Sequence, residues 1–179
     1  MQALEAYEEA LKIRRKLAEK NPNAYLSSVA TTLNNLAILH EMSKECSKAL
    51  KKYEEALKIR KQLAKENPNM YLSGVAITLN NLAILHCYTT EYPQAFEAYE
   101  EALKIRRELA EENPKVYLSN VTTLLNNLSK FYHDNVSNKE LSMKYASEAV
   151  EILGRCNNLP FVREELERAK QIIEKWNNK

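Results

Sequence analysis

Asparagine pairs recur along the chain at a constant interval: Asn34-Asn35, Asn80-Asn81 and Asn126-Asn127 stand 46 residues apart. Each side-chain amide offers one acceptor oxygen and two donor hydrogens, so it grips a peptide backbone without reading the side chains along it. Repeated at fixed spacing, such amides suit two roles. They can hold an extended guest chain, or they can bond to neighbouring parts of the same protein and stiffen it. The histidines do not point to a metal. His40 and His86 occupy the same place in successive repeats, too far apart to share an ion, and neither they nor His133 belong to an HExxH or similar spacing. We expect them to be packed between helices.

Other reactive groups are as plain. Cys87 falls near the asparagines but has no base beside it, so an inert thiol is expected. Cys46, Cys87 and Cys156 are odd in number and lack a CxxC spacing; they read as free thiols of a reducing compartment, with the cytoplasm as the expected location. With two glycines in 179 residues there is no phosphate-cradling loop, and no nucleophile–base pair is evident. No catalytic residue, metal ligand, cofactor or enzyme activity is therefore expected. The 26 basic and 24 acidic residues are mixed rather than blocked, which argues against nucleic acid or an anionic membrane as partner. Arg14-Arg15-Lys16, Arg60-Lys61 and Arg106-Arg107, with Glu8, Glu9, Glu54, Glu55, Glu100 and Glu101 nearby, read as a solvated face with i, i+4 pairing. No apolar run approaches the ~18 residues of a spanning helix, and Met1-Gln2-Ala3-Leu4-Glu5 does not resemble a signal peptide.

What must position the asparagines is a repeated helical hairpin. The stretch from Thr32 to His40 returns from Thr78 to His86 and, altered, from Leu124 to Tyr132. A fixed period of this size marks an array of stacked units. Each unit opens on Asn-Pro (Asn21-Pro22, Asn67-Pro68, Asn113-Pro114), a good N-cap followed by a residue suited to the first helical turn. From Pro22 to about Met42, the residues Val29, Leu33, Leu36, Ala37 and His40 form one apolar stripe. After the link Ser43-Lys44-Glu45, a second helix runs to about Glu66 with Ala56, Ile59 and Leu63 in register and Tyr53 and Leu57 beside them. Matching pairs are predicted over 69–88 with 92–112 and 115–134 with 139–153, the last with one extra residue in its link.

The spacing predicts an all-α chain organised as a single array over 1–179. Residues 1–20 form the second helix of a unit whose first helix is missing; 21–66, 67–112 and 113–154 are full units; and 158–177 is a closing helix with the apolar stripe Val162, Leu166, Ala169, Ile173 and Trp176. The polar end Asn177-Asn178-Lys179 reads as a natural terminus. The missing helix is expected to leave Leu4, Tyr7 and Leu11 uncovered, an open N-terminal edge through which a homodimer would form.

These units resemble tetratricopeptide repeats. Leu82-Ala83, His86, Ala95, Tyr99 and Ala102 follow that family's alternation of large and small residues, with His86 where a tyrosine is usual. The period is longer than the family's usual one. Long repeats with a Val-Ala-x-Thr-Leu-Asn-Asn-Leu-Ala helix and a Glu-Ala-Leu-x-Ile-Arg helix are similar to those of kinesin light chains. The likeness covers about residues 1–153. It departs at Cys46 and Lys139, which replace Tyr92 at the start of the second helix, and at Ser129 and Lys130. The resemblance implies a right-handed superhelical α-α solenoid of hairpins with a C-terminal capping helix.

It also implies a function: a protein–protein interaction module that holds an extended peptide in a concave groove lined by the first helices. At about 100° per residue, Asn34, Ile38, Met42 and Asn35 lie on the side of the first helix away from the packed stripe. The implied groove positions are Asn34, Asn35, Ile38 and Met42; Asn80, Asn81, Ile84 and Tyr88; and Asn126 and Asn127. With first helices roughly 10 Å apart and ~3.3 Å per ligand residue, three amide pairs would hold about 6–9 residues at micromolar affinity. The alternative is a structural or self-associating segment of a larger protein with no peptide ligand of its own.

Overall fold

The computed structural model describes residues 2–154 and 160–178. Among them are eight α-helices and no strand: α1 Gln2–Lys20, α2 Pro22–Met42, α3 Cys46–Glu66, α4 Pro68–Tyr88, α5 Tyr92–Glu112, α6 Pro114–Phe131, α7 Lys139–Gly154 and α8 Pro160–Asn177. The fold is all-α and of the solenoid type. It has two compact units, residues 1–89 and 90–179, and within each of them successive helices pack in chain order. Cys156 and the expected start of the closing helix at 158 lie outside the described residues.

Local chemistry sets the helix ends. Asn21 Oδ1 accepts from the backbone of Ala24, and Asn67 Oδ1 from that of Met70, each at 3.3 Å. Proline follows at the first helical position, where a missing N–H leaves nothing unpaired. Asn113 keeps its place before α6 without a side-chain cap bond. Lys44, Thr90 and Ser137, each with φ between 55° and 62°, turn a first helix into its second. The third link's extra residue is wound into one π-helical turn, Tyr132–Val136, just ahead of Ser137. The sixth helix therefore ends at Phe131, short of the predicted 134.

In residues 1–89, α2 lies between α1 and α3, and α3 between α2 and α4. Leu11 and Ala18 meet Val29, Leu33, Leu36 and Ala56, with Leu4, Tyr7 and Ile59 packed against them. Farther along, Ala37 and Ala49 bring the two helices of the hairpin close, and Tyr53, Leu82 and Leu85 fill the space beside them. The predicted open edge is thus corrected: Leu4, Tyr7 and Leu11 face α2, the first helix of the following unit. What α1 leaves exposed is Ile13 and Leu17. Against the expectation that no run reaches spanning length, α4 alone among the described residues is long and apolar enough to cross a membrane. In the fold its Val75, Ala76, Leu79, Leu82 and Ala83 are buried.

The arginine runs also differ from expectation. Arg14 Nη1 donates to the Ser28 carbonyl at 3.2 Å and to Thr32 Oγ1; Arg60 Nη1 donates to the Gly74 carbonyl at 2.8 Å and Thr78 Oγ1 at 2.6 Å. Arg106, 5% exposed, reaches Asn120 Oδ1 at 3.4 Å, because Leu124 stands where the earlier units have threonine. Burial pushes the Arg60 and Arg106 guanidinium pKa values down. The first arginine of each run is therefore a clasp between a second helix and the next first helix, not a solvated group. The following residue does behave as surface: Arg15 pairs with Glu55, and Arg107 with Glu148 at 2.6 Å.

In residues 90–179, α6 packs on α5 and α7, and α8 closes against both α6 and α7. Phe131 and Tyr132, in place of Leu85 and His86, build an aromatic cluster with Tyr92, Phe96, Tyr99 and Tyr145. Ser129 and Ser142 replace the alanines that meet in the earlier hairpin. Each hydroxyl donates to the other's carbonyl at 2.8 Å, and Trp176 Nε1 donates to Ser142 Oγ at 2.8 Å. Among the described side chains of α8, Val162, Ala169, Ile172 and Trp176 are buried, so the stripe passes through Ile172 rather than the predicted Ile173.

Candidate functional site

The predicted groove residues part into two sets. Asn34 is buried, and its Oδ1 accepts from Thr78 Oγ1 and Asn81 Nδ2 of α4, each at 3.4 Å. Asn126 is buried as well; its Nδ2 donates to the carbonyl and the Oε2 of Glu165 on α8, at 2.9 and 2.6 Å. This corrects their assignment to the groove. Helical angle gives the direction in which an asparagine points, but not how close the following helix comes, and here that helix takes the amide. These two amides bond to a neighbouring helix of their own unit.

The second asparagines sit nearer the surface. Asn35 is half-buried, with Nδ2 3.4 Å from the Tyr7 hydroxyl. Asn80 Nδ2 donates to Asn81 Oδ1 at 3.4 Å, and both side chains are half-buried, as is Asn127. These bonds are at the long end for N–H···O geometry, so a better partner can displace them. Beside them Ile38, Met42, Ile84 and Tyr88 remain open to solvent, Met42 at 76% and Tyr88 at 62%.

Five predicted residues converge on one pocket of about 430 Å³ in the first unit: Ile38, Met42, Asn81, Ile84 and Tyr88. Asn126 and Asn127 belong to the other unit and are not part of it. Three further lining residues, Glu41, Lys44 and Tyr53, escaped the sequence reading. Tyr53 is fully buried and donates its hydroxyl to Glu41 Oε2 at 3.0 Å. Burial raises the Glu41 pKa above the ordinary carboxylate value, with the Tyr53 hydrogen bond opposing it. The Tyr53 phenol is pushed up, by burial first and by Glu41 second. A signal for Glu41 did exist: it is the only acid in α2, and its counterpart in α4 is Cys87.

The remaining candidates are structural. His40 is buried and bonds through Nδ1 to Glu45 Oε2 at 2.7 Å. His133 lies edge-on to Trp176 with ring centroids 4.8 Å apart. Cys46 and Cys87 are not joined in a disulfide. Among the described residues no group of three or more His, Cys, Asp or Glu is placed to hold a metal. The pocket offers an apolar wall, the Asn81 amide, the Glu41 carboxylate and the exposed Lys44 ammonium.

Comparison with known proteins agrees with the repeat. One family model of the tetratricopeptide repeat matches residues 1–62, and a second matches residues 75–114. Among solved structures, BtubC (BKLC) from P. vanneervenii is similar over 98% of this chain and 91% of its own, at 18% identity and a TM-score of 0.51. That likeness concerns the fold alone. A de novo designed helical repeat protein aligns over 99% of this chain and 96% of its own, at 14% identity and a TM-score of 0.39, and carries no argument. No curated protein matches the chain by sequence.

Proposed function

The chain belongs to the tetratricopeptide repeat family, and from that premise we propose a protein–protein interaction module that docks an extended peptide across α2 and α4. The observation that carries this is the pocket between those helices, where Ile38, Met42, Ile84 and Tyr88 stay exposed beside the Asn81 amide, with half-buried Asn35 one turn before Ile38 on α2. Apolar groups gathered on an open face suit a partner. Loosely bonded amides suit its backbone. The 46-residue period supports a likeness to long-repeat, kinesin-light-chain-like members, and three cysteines without a CxxC spacing support a cytoplasmic location.

The test is peptide selection from a random phage library, followed by fluorescence anisotropy on the peptides recovered. An Ile38→Ser/Ile84→Ser variant, changed at partly exposed positions, should lose about tenfold or more in affinity while circular dichroism shows it still folded. Equal binding by parent and variant would place the docking face elsewhere.

A second reading, self-association without a peptide ligand, finds its support in Ile13 and Leu17 on the exposed side of α1. Light scattering over a concentration series separates the two, since a strict monomer removes the second.

A further inference from the structure

We propose that the pocket beside Glu41 takes the side chain of a lysine or arginine, so that the docked segment is basic at this point. The inference rests on the peptide-docking reading above and narrows it.

Glu41 is an acid without a counter-ion. Its one side-chain partner is the Tyr53 hydroxyl, a neutral donor, and among the described residues it forms no ion pair. A half-buried carboxylate has lost part of its hydration without gaining a cation, and its attraction for one is stronger than at a fully wetted site. The walls around it are hydrocarbon from Ile38, Met42 and Ile84, which fits a side chain with an apolar stem and a charged head. An acidic ligand would bring two carboxylates together. A purely apolar one would dehydrate Glu41 further and leave it unpaired. Lys44 also lines the pocket, but it is exposed in the link after α2, where water and salt screen its ammonium. A basic guest is the one that leaves no buried charge unmatched.

Tyr53 does not by itself explain the acid, because a glutamine at position 41 would still accept from that hydroxyl. The experiment uses a random phage library selected in parallel on the whole protein and on its Glu41→Gln variant. Recovered sequences are then made as N-acetylated peptides, so that a terminal amine cannot stand in for a side chain. The proposal expects lysine or arginine at one fixed position of the peptides selected by the parent. Replacing that residue by norleucine should weaken binding about tenfold in the parent and less than about twofold in Glu41→Gln. Peptides selected without a basic position, or a basic preference that survives in Glu41→Gln, overturn the basic anchor and leave the docking reading standing. If neither protein enriches any peptide, the docking reading falls and the anchor with it.

Discussion

Arg60 on α3 donates from one nitrogen to Thr78 Oγ1 at 2.6 Å, across the seam to α4. The same nitrogen reaches the Gly74 carbonyl one turn earlier, at 2.8 Å. Arg60→Ala leaves both acceptors without their cation and is expected to cost about 2 kcal/mol in chemical denaturation. An added Cβ at Gly74 would stand 3.3 Å from Arg60 Nε. Gly74→Ala should therefore forgo most of the ~1 kcal/mol that alanine ordinarily brings to a helix interior. At the equivalent place Ser28 does carry a Cβ, and there the arginine stands 3.2 Å from the carbonyl rather than 2.8 Å.

The two asparagines of a pair are predicted to separate in experiment. Asn34→Ala removes a buried acceptor shared by Thr78 and Asn81, and should lower stability by about 1 kcal/mol. Asn35→Ala, which gives up only a 3.4 Å contact to the Tyr7 hydroxyl, should weaken peptide binding while its melting temperature barely moves. Urea titration and anisotropy on the same preparations check both halves. A stable Asn34→Ala protein would contradict the assignment of that amide to the α2–α4 seam.

One indole ties α8 to the serine pair of the third hairpin. Trp176 Nε1 donates to Ser142 Oγ, whose own proton goes to the Ser129 carbonyl. Ser142→Ala restores the alanine found in the preceding hairpin but strands the indole N–H, at a cost of about 1–2 kcal/mol. Trp176→Phe should cost about 1 kcal/mol less in the Ser142→Ala background than alone, a coupling that a double-mutant cycle reads directly. Additive effects would mean that the indole is held by packing alone.

Much of this was legible in the sequence, and the rest was hidden for definite reasons. The 46-residue period fixed the helix starts at Pro22, Pro68 and Pro114, and the extra residue of the third link reappears as the π-turn before Ser137. Apolar periodicity located the stripes but not the spacing between successive hairpins, which decides whether an amide at a given angle meets solvent or the next helix. That is why Asn34 and Asn126 meet a neighbouring helix, whereas Ile38, Met42, Ile84 and Tyr88 stay exposed. Arg14, Arg60 and Arg106 misled for a related reason: a long side chain on an apparently outer face can fold back into a seam when carbonyls wait there. Glu41 was missed because a single charge at a helix end reads as surface.

Glu41 also makes a pH prediction. Its folded pKa is raised, chiefly by burial, so ionisation is less favourable in the folded chain than in the unfolded one. The resulting destabilisation is present above the raised value and is relieved as pH falls through it toward the unfolded value. Glu41→Gln, which retains the Tyr53 bond, is expected to denature at equal or higher urea than the parent at pH 7. The difference should vanish at pH 4. A glutamine variant clearly weaker at pH 7 would make the carboxylate a structural requirement.

The central claim is that a guest chain lies on α2 and α4. Amide chemical shifts of the isotope-labelled protein, followed while a phage-selected peptide is added, test it most directly. The account predicts saturable shifts concentrated at Asn35, Ile38, Met42, Asn81, Ile84 and Tyr88, with the exposed positions Lys51, Lys58 and Lys65 of α3 unmoved. Shifts gathered on those α3 lysines instead, with the α2 and α4 amides silent, would contradict it.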